Sequence, residues 1–412
     1  MNVEMHRSTR KKVAWIAGLA AVGAYLAAYF AAPLSELAAS GRAPARIAIV
    51  QLLLVPEILV EAWFGSPPRP HVFDRLPIAA GAIAIFFCAW RWGVWALRVL
   101  RCETALRSTE RAATAAGLGL AALSTVVFWH GVFGFPGGRM LLAGALMLPL
   151  IFDAGRLAVR GGAGAIAGSV RAKFRAPSRY RGWFVVAALF VVPILLGAML
   201  PPLEFDVLEY HLQAPKEFFA AGCLHFLPHN VYGNMPLGAE MFPLAGMVLT
   251  GDMLTGALIG KTLIAAFALL GAVWAYIVAA GLGGRKAGWC AAIVLLSCPW
   301  TVRVSTLGLI DLVPGVYLLA GVWLLWRPPR ARASHDVSSA PPSPAAVFLA
   351  GLFAGAAAGC KYPAVLFCTI PIAAVLAFRL RYKPQTIGFS AVLFLAGAIL
   401  AGGGWYLKNW WF

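Results

Sequence analysis

The chain has 412 residues, of which 61% are hydrophobic and only 12% are charged, and its net charge is +18. A soluble domain has about a quarter charged residues, so this composition excludes an ordinary soluble fold and indicates a membrane protein. The basic residues stand in short gaps between apolar segments. That arrangement is typical of cytoplasmic loops and excludes nucleic acid as the partner.

The first apolar segment, 13–34, follows a basic head at 7–12. It is longer than the ~7–15 apolar residues of a signal peptide, which favours a retained helix with a cytoplasmic N-terminus. Before the Arg-rich gap at 156–181, crossings are predicted at 13–34, 76–99, 112–134 and 139–156. A further run, 46–64, contains two glutamates, and we expect it to lie at the interface because carboxylates are costly at membrane depth.

After the Arg-rich gap, the pattern predicts crossings at 183–200, 257–281, 287–300, 312–326, 345–360, 363–378 and 386–404. The stretch 327–344 is rich in Pro, Ser and charge and is typical of a flexible cytoplasmic linker. The predicted fold is therefore an all-α polytopic membrane protein with about 11 transmembrane helices. One long extracytoplasmic loop carries short helices. Trp405, Trp410 and Trp411 are expected to anchor the outer interface.

The long loop, residues 201–243, is called the acidic loop below. Its titratable residues are Glu204, Asp206, Glu209, Glu217 and Glu240, together with His211, His225, His229 and Lys216. Such enrichment at a membrane face is typical of a reaction site. The alternative is a solvated loop whose acids follow the charge bias of the outer side.

Further polar residues are predicted at the same face. Asp311 and Arg303 belong to one outward turn, and Lys361 with Tyr362 stands at an outward junction between two apolar runs. Lys408 follows the last apolar run. Outward lysines oppose the positive-inside trend, so they either snorkel to headgroups or have a function.

This set of residues suits one kind of chemistry. A carboxylate acts as general base on an acceptor hydroxyl, and cations hold a phosphate leaving group. Apolar helices hold a lipid tail, so the set indicates group transfer from a lipid phosphate.

Metal binding is the rival use of the histidines and acids. His225 and His229 are separated by Pro228, which opposes a regular helix, and no HExxH motif occurs, so we expect no metal and no cofactor.

The acidic loop contains Phe205 to Leu212 (FDVLEYHL), followed by Pro215-Lys216. Further motifs are His229 to Tyr232, Met235-Pro236 with Glu240, Leu309 to Leu312, Gly351 to Gly359 before Lys361-Tyr362, and Trp405 to Asn409. In order and spacing these resemble the GT-C membrane glycosyltransferases, which include the protein O-mannosyltransferases and the bacterial lipid A aminoarabinose transferases. The resemblance covers about 183–412.

The resemblance implies a multi-pass protein of the bacterial inner membrane that transfers a sugar from a polyprenyl-phosphate donor with inversion. Its acceptor would be a glycan, a lipid or a protein. Asp206 would be the catalytic base, and Glu209 and His211 its neighbours in the site. Lys361 and, more weakly, Lys408 would hold the donor phosphate. The other residues expected to bind substrate or shape the site are Tyr362, Asp311, Arg303, Lys216, His229, Asn230 and Glu240.

The chain also departs from this family. Many relatives have two adjacent acids at the first motif, whereas Phe205 and Val207 flank Asp206 here, which leaves Glu204 and Glu209 as rival bases. Relatives continue into more helices, so we expect 183–412 to be a catalytic region incomplete at its C-terminus, and 1–182 a four-helix region of unassigned role. Two alternatives stay open. One is a transporter or lipid flippase using Arg91, Asp153 or Lys261, and the other is an inactive or structural membrane protein.

Overall fold

The computed structural model describes residues 2–32, 72–159, 180–327 and 341–411. The chain divides into two compact units, Met1–Arg69 and Pro70–Phe412. In the first unit the described helix is α1, Asn2–Ala31. The predicted interfacial run at 46–64, most of the basic gap at 156–181 and most of the linker at 327–344 lie outside the described residues.

The second unit is built from helices α2 to α14. They are α2 Val72–Val99, α3 Ser108–Val132, α4 Gly138–Val159, α5 Arg181–Ala198, α6 Gln213–Ala221, α7 Met241–Thr250, α8 Met253–Ser297, α9 Pro299–Leu307, α10 Leu312–Trp326, α11 Pro344–Ala358, α12 Ile370–Leu380, α13 Ile387–Ala398 and α14 Gly404–Trp411. Three π-helical turns interrupt the order, at Val207–His211, Val365–Thr369 and Ile399–Gly403. The predicted domain boundary at 182 falls inside this unit. Helices α2 and α3, which precede the boundary, both pack against α8, which follows it.

Five helical stretches of the described residues are long and apolar enough to cross a membrane. They are Phe73–Val99, Ser108–Val132, Arg181–Ala198, Met253–Ser297 and Pro384–Trp411. A sixth follows if α9 and α10, bent by 117° at their junction, form one span. The prediction of an all-α chain with several membrane-length helices is confirmed for the described residues, whereas the eleven crossings stay a prediction.

Helix α8 reverses direction in its second half. Gly284 has φ 82° and ψ 176°, a conformation that side chains with a Cβ rarely adopt. A methyl group at Gly271 would lie 3.2 Å from Leu295 Cδ2, and the rings of Tyr276 and Trp289 are 5.4 Å apart. Because 24 residues of straight helix span about 36 Å, these contacts require the chain to fold back at Gly284. The predicted segments 257–281 and 287–300 overlap the two arms of α8, although α8 ends at Ser297 and the last residues of the second segment belong to α9.

Glycines allow several helices to pack backbone against backbone. A methyl group at Gly93 of α2 would overlap the Ala115 carbonyl of α3 at 1.7 Å. In the same way, a methyl group at Gly355 of α11 would lie 2.1 Å from the Ala398 carbonyl of α13. Small residues are what bring helices close together when lipid replaces water as the solvent.

Arg91, Asp153 and Lys261, the ionisable residues that a transport path would use, have partners. Arg91 of α2 forms an ion pair with Asp153 of α4, and Arg98 Nη1 lies 3.0 Å from the other oxygen of Asp153. Lys261 of α8 is 1% exposed and donates to the Leu200 carbonyl at 2.8 Å. The three residues that a transport path would use therefore join helices to each other or to a loop.

Trp405 does not face outward as the sequence predicted. It is 3% exposed, and its ring packs on Phe128 of α3 with 4.6 Å between centroids. Trp410 and Trp411 are 81% and 77% exposed, which agrees with a place at the membrane interface. The helical repeat explains the difference, because residues 405 and 408 share the buried face of α14.

Candidate functional site

The acidic loop is ordered by side-chain bonds to its own backbone. Asn234 accepts from the Leu227 amide at 2.9 Å and donates to the Leu227 carbonyl at 2.8 Å. Asn230 donates to the Glu209 carbonyl at 2.8 Å and accepts from the Gly233 amide at 2.9 Å. Asn230 was predicted to bind substrate, and these contacts show that its amide also fixes the position of Glu209.

The π-helical turn Val207–His211 follows Asp206 and decides which side chains face inward. Val207 and His211 are buried, whereas Asp206 is exposed and Glu209 is partly exposed. His211 Nδ1 lies 2.6 Å from Glu240 Oε1, and the side chains of these two residues are 4% and 0% exposed. Glu240, predicted to bind substrate, therefore lies behind His211. Its second oxygen, Oε2, has no hydrogen-bond partner among the described residues.

Tyr210 connects the acidic groups of three separate segments. Burial raises the pKa of its hydroxyl well above 10, and the nearby charges of Asp206, Glu240, Asp311 and Glu209 raise it further. Its ring also contacts His211 and Tyr232, with centroid distances of 4.0 and 5.2 Å. Tyr210 was not among the predicted site residues, although it stands between two of them, Glu209 and His211.

Lys361 and Asp311 form an ion pair at 2.5 Å, in which their side chains are 32% and 47% exposed. Asp311 occupies the sharp bend between α9 and α10, and Lys361 directly follows the turn that ends α11. The hydroxyl of Tyr362 accepts a hydrogen bond from Asn409 Nδ2 at 2.6 Å. The structure thus brings together Asp311, Lys361 and Tyr362, as the sequence predicted, and adds Asn409 to them.

Backbone hydrogen bonds attach the acidic loop to the segment that carries Lys361. The Gly238 amide donates to the Gly359 carbonyl at 2.7 Å, and Ser124 of α3 donates to the Gly238 carbonyl at 2.7 Å. A methyl group at Gly238 would lie 2.7 Å from the Gly359 oxygen, so only glycine fits there. Helix α3, to which the sequence assigned no role, therefore supports the site.

Four other predicted residues have different surroundings. Arg303 pairs with Glu204 at 3.3 Å, and the exposed His229 pairs with Glu217 at 3.1 Å. Lys216 is exposed. Lys408 is 5% exposed, and its ammonium lies 5.5 Å from the ring centroid of Trp405.

Within the described residues, no group of three or more His, Cys, Asp or Glu is arranged to hold a metal ion. No protein-family model, curated protein or solved structure matches this chain. What the site does is therefore argued from its chemistry. It holds an exposed carboxylate, a buried histidine–glutamate pair and a half-exposed lysine–aspartate pair, and the carboxylates of all three affect the pKa of Tyr210.

Proposed function

We propose that this chain is a membrane glycosyltransferase that moves a sugar from a polyprenyl-phosphate donor to an acceptor hydroxyl, with inversion at the sugar carbon. One observation carries the proposal. Carboxylates from three segments, at Asp206 and Glu209, at Glu240 and at Asp311, lie near enough to Tyr210 for their charges to raise its pKa, and Asp311 forms an ion pair with Lys361. Acids and a cation gathered from distant parts of a chain are typical of a catalytic site.

Asp206 is the proposed general base. Its side chain is exposed and makes no hydrogen bond or ion pair among the described residues, so both oxygens are free to accept an acceptor's proton. The rival Glu204 is paired with Arg303. The other rival, Glu209, is only partly exposed. Glu240 is completely buried, which removes it from contact with an acceptor.

The leaving phosphate needs a cation, and the lipid chain of the donor needs an apolar surface. Lys361 supplies a cation next to Asp311, and the helices of the second unit form apolar grooves. The transporter alternative is weakened. Arg91, the one cation expected deep in the membrane, forms an ion pair with Asp153.

The test is sugar transfer from a radiolabelled polyprenyl-phosphate sugar in membranes that contain the chain. Asp206→Asn should lower the rate at least 10²-fold, the lower range for loss of a general base, with unchanged expression and thermal stability. Asp252→Asn is the matched control. Asp252 is exposed and caps α8, a role that asparagine fills equally well, so transfer should persist. Wild-type activity in Asp206→Asn would refute the base assignment, and absence of transfer by the wild type from any polyprenyl-phosphate sugar would refute the function.

A further inference from the structure

Glu240 and His211 form a side-chain pair that solvent does not reach. His211 Nδ1 lies 2.6 Å from Glu240 Oε1, and both side chains are buried. The second oxygen of Glu240 has no hydrogen-bond partner among the described residues. An unsatisfied buried oxygen lowers stability, and replacing both partners of a buried pair by apolar side chains is often neutral or stabilising. The pair is therefore better explained by the geometry it imposes than by the stability it contributes.

The histidine end of this pair holds the turn that places Asp206. His211 is the last residue of the π-helical turn Val207–His211, and Asp206 is the residue before that turn. The side chain of Asp206 makes no capping hydrogen bond, so the position of its carboxylate depends on the backbone of the turn. Asn230 holds the middle of the turn by donating to the Glu209 carbonyl at 2.8 Å. His211 attaches the end of the turn to Glu240.

The glutamate end of the pair belongs to a firmly packed part of the molecule. Glu240 directly precedes α7, and α7 packs backbone against backbone on α8. Two residues before Glu240, the Gly238 amide donates to the Gly359 carbonyl at 2.7 Å. Gly359 in turn stands two residues before Lys361. This short segment of the acidic loop therefore connects the turn that carries Asp206 with the turn that carries Lys361.

The acidic loop contains a second histidine–glutamate pair, which differs from the first in its burial. His229 Nε2 lies 3.1 Å from Glu217 Oε2, but the side chain of His229 is exposed. A pair in contact with water contributes little and does not fix a backbone. Burial therefore distinguishes the pair of Glu240 and His211 as the one that can set the position of a neighbouring segment.

We propose that Glu240 is a positioning residue, which acts through His211 to hold the π-helical turn with the Asp206 carboxylate directed at the acceptor. The inference rests on the proposed function and deepens it, since it gives Glu240 a role other than the substrate binding expected from the sequence. Glu240 touches neither substrate, and its effect on the reaction passes through the backbone of the turn. A displacement of a reacting group by about 1 Å can lower a rate about 10²-fold.

Two substitutions separate the hydrogen bond of Glu240 from its packing. Glu240→Gln keeps the bond, because a side-chain amide can accept from a protonated Nδ1 of His211 or donate to an unprotonated one. Glu240→Leu is similar in size and removes the bond. In the sugar-transfer assay, kcat should fall about tenfold or more in Glu240→Leu and be largely kept in Glu240→Gln. The KM for the donor should not change, so kcat and kcat/KM should fall equally.

Two further variants separate positioning from loss of fold. Glu110→Leu is the matched control, because Glu110 is a buried glutamate in the first turn of α3 that accepts from Trp323 Nε1 at 3.3 Å. It should lower thermal stability but leave kcat of the folded protein unchanged. The double variant of His211→Phe with Glu240→Leu should be more stable than Glu240→Leu alone, because no buried polar group is left unpaired, yet its kcat should stay low. Recovery of kcat in the double variant would overturn the proposal.

Hydrogen–deuterium exchange of the purified chain in detergent tests the positioning without any transfer reaction. In Glu240→Leu, the amides of the turn Val207–His211 should exchange about tenfold faster or more, while those of α8 exchange as in the wild type. Glu240→Gln should match the wild type in both segments. Unchanged exchange of the turn in Glu240→Leu, or an equal increase in α8, would overturn the proposal.

The two assays also separate this proposal from the proposed function. Full transfer activity in Glu240→Leu would overturn the role of Glu240 and leave the glycosyltransferase standing. A wild type that transfers no sugar would refute the glycosyltransferase. Faster exchange confined to the turn in Glu240→Leu would, in that case, still support Glu240 as the residue that positions Asp206.

Discussion

Gly308 ends α9 at the bend before Asp311, and its replacement by alanine tests how that bend is held. Gly308 has φ +91°, and an added Cβ would lie 2.5 Å from Lys261 Cγ. A left-handed backbone costs a residue with a side chain roughly 1–2 kcal/mol. Displacing the Lys261 stem also breaks its bond to the Leu200 carbonyl, and a bond to a charged group contributes about 1.5–3 kcal/mol. We expect Gly308→Ala to lose about 4 kcal/mol of unfolding free energy.

The assay is denaturant unfolding in detergent micelles followed by tryptophan fluorescence. Gly315→Ala is the matched control, because Gly315 lies within α10 and has no atom within 4 Å of an added methyl group. Gly315→Ala should raise the free energy of unfolding by about 0.5–1 kcal/mol, because alanine favours a helix more than glycine does. Lys261→Ala completes a double-mutant cycle. In the Lys261→Ala background, Gly308→Ala should lower the free energy of unfolding only by the cost of the left-handed backbone, roughly 1–2 kcal/mol. An equal cost in both backgrounds would refute the contact with Lys261.

Two further predictions concern helix packing and titration. Gly355→Ala should force α11 away from the Ala398 carbonyl of α13 and cost about 1–3 kcal/mol of unfolding free energy. Gly388→Ala, inside α13 and with no atom within 4 Å of the added methyl group, should not lower the free energy of unfolding and, like Gly315→Ala, should raise it slightly. The folded-state pKa of Tyr210 lies above the unfolded value of about 10, so the stability it contributes is present below pH 10 and lost as pH rises through the folded-state value. Tyr210→Phe should reduce the fall in unfolding free energy at alkaline pH. Tyr382→Phe, at an exposed position, is the control and should leave that fall unchanged. Identical alkaline profiles for the wild type and Tyr210→Phe would contradict the cause given for the raised pKa.

The positions of many helices follow from the sequence, since apolar runs bounded by polar or turn residues fix where a helix lies. The predicted crossing 312–326 coincides with α10, and 345–360 lies within two residues of α11 at either end. The bend of 117° between α9 and α10 was not predicted. It depends on Gly308 and on the buried Lys261, which are 47 residues apart, so no local pattern reveals it.

The motif at 205–212 indicated candidate site residues but not how their side chains face. A π-helical turn contains one more residue than an α-helical turn, so the 3.6-residue period does not give the orientation of His211. The pairing of His211 with Glu240 joins positions 29 residues apart and was not predicted. The sequence also ranked Lys361 above Lys408 as a phosphate ligand. That ranking stays a prediction. The structure adds that Lys361 pairs with Asp311, 50 residues away along the chain, which no local pattern reveals.

The backbone bond between Gly238 and Gly359 has a consequence for biogenesis. About 120 residues separate these two glycines, and ribosomes add roughly 5–20 residues per second, so the acidic loop is made some 6–24 s before its anchor. During that interval its carboxylates have no Lys361 beside them. The candidate site therefore assembles only after α11 has been inserted, and insertion of this late helix controls when the loop acquires its final shape.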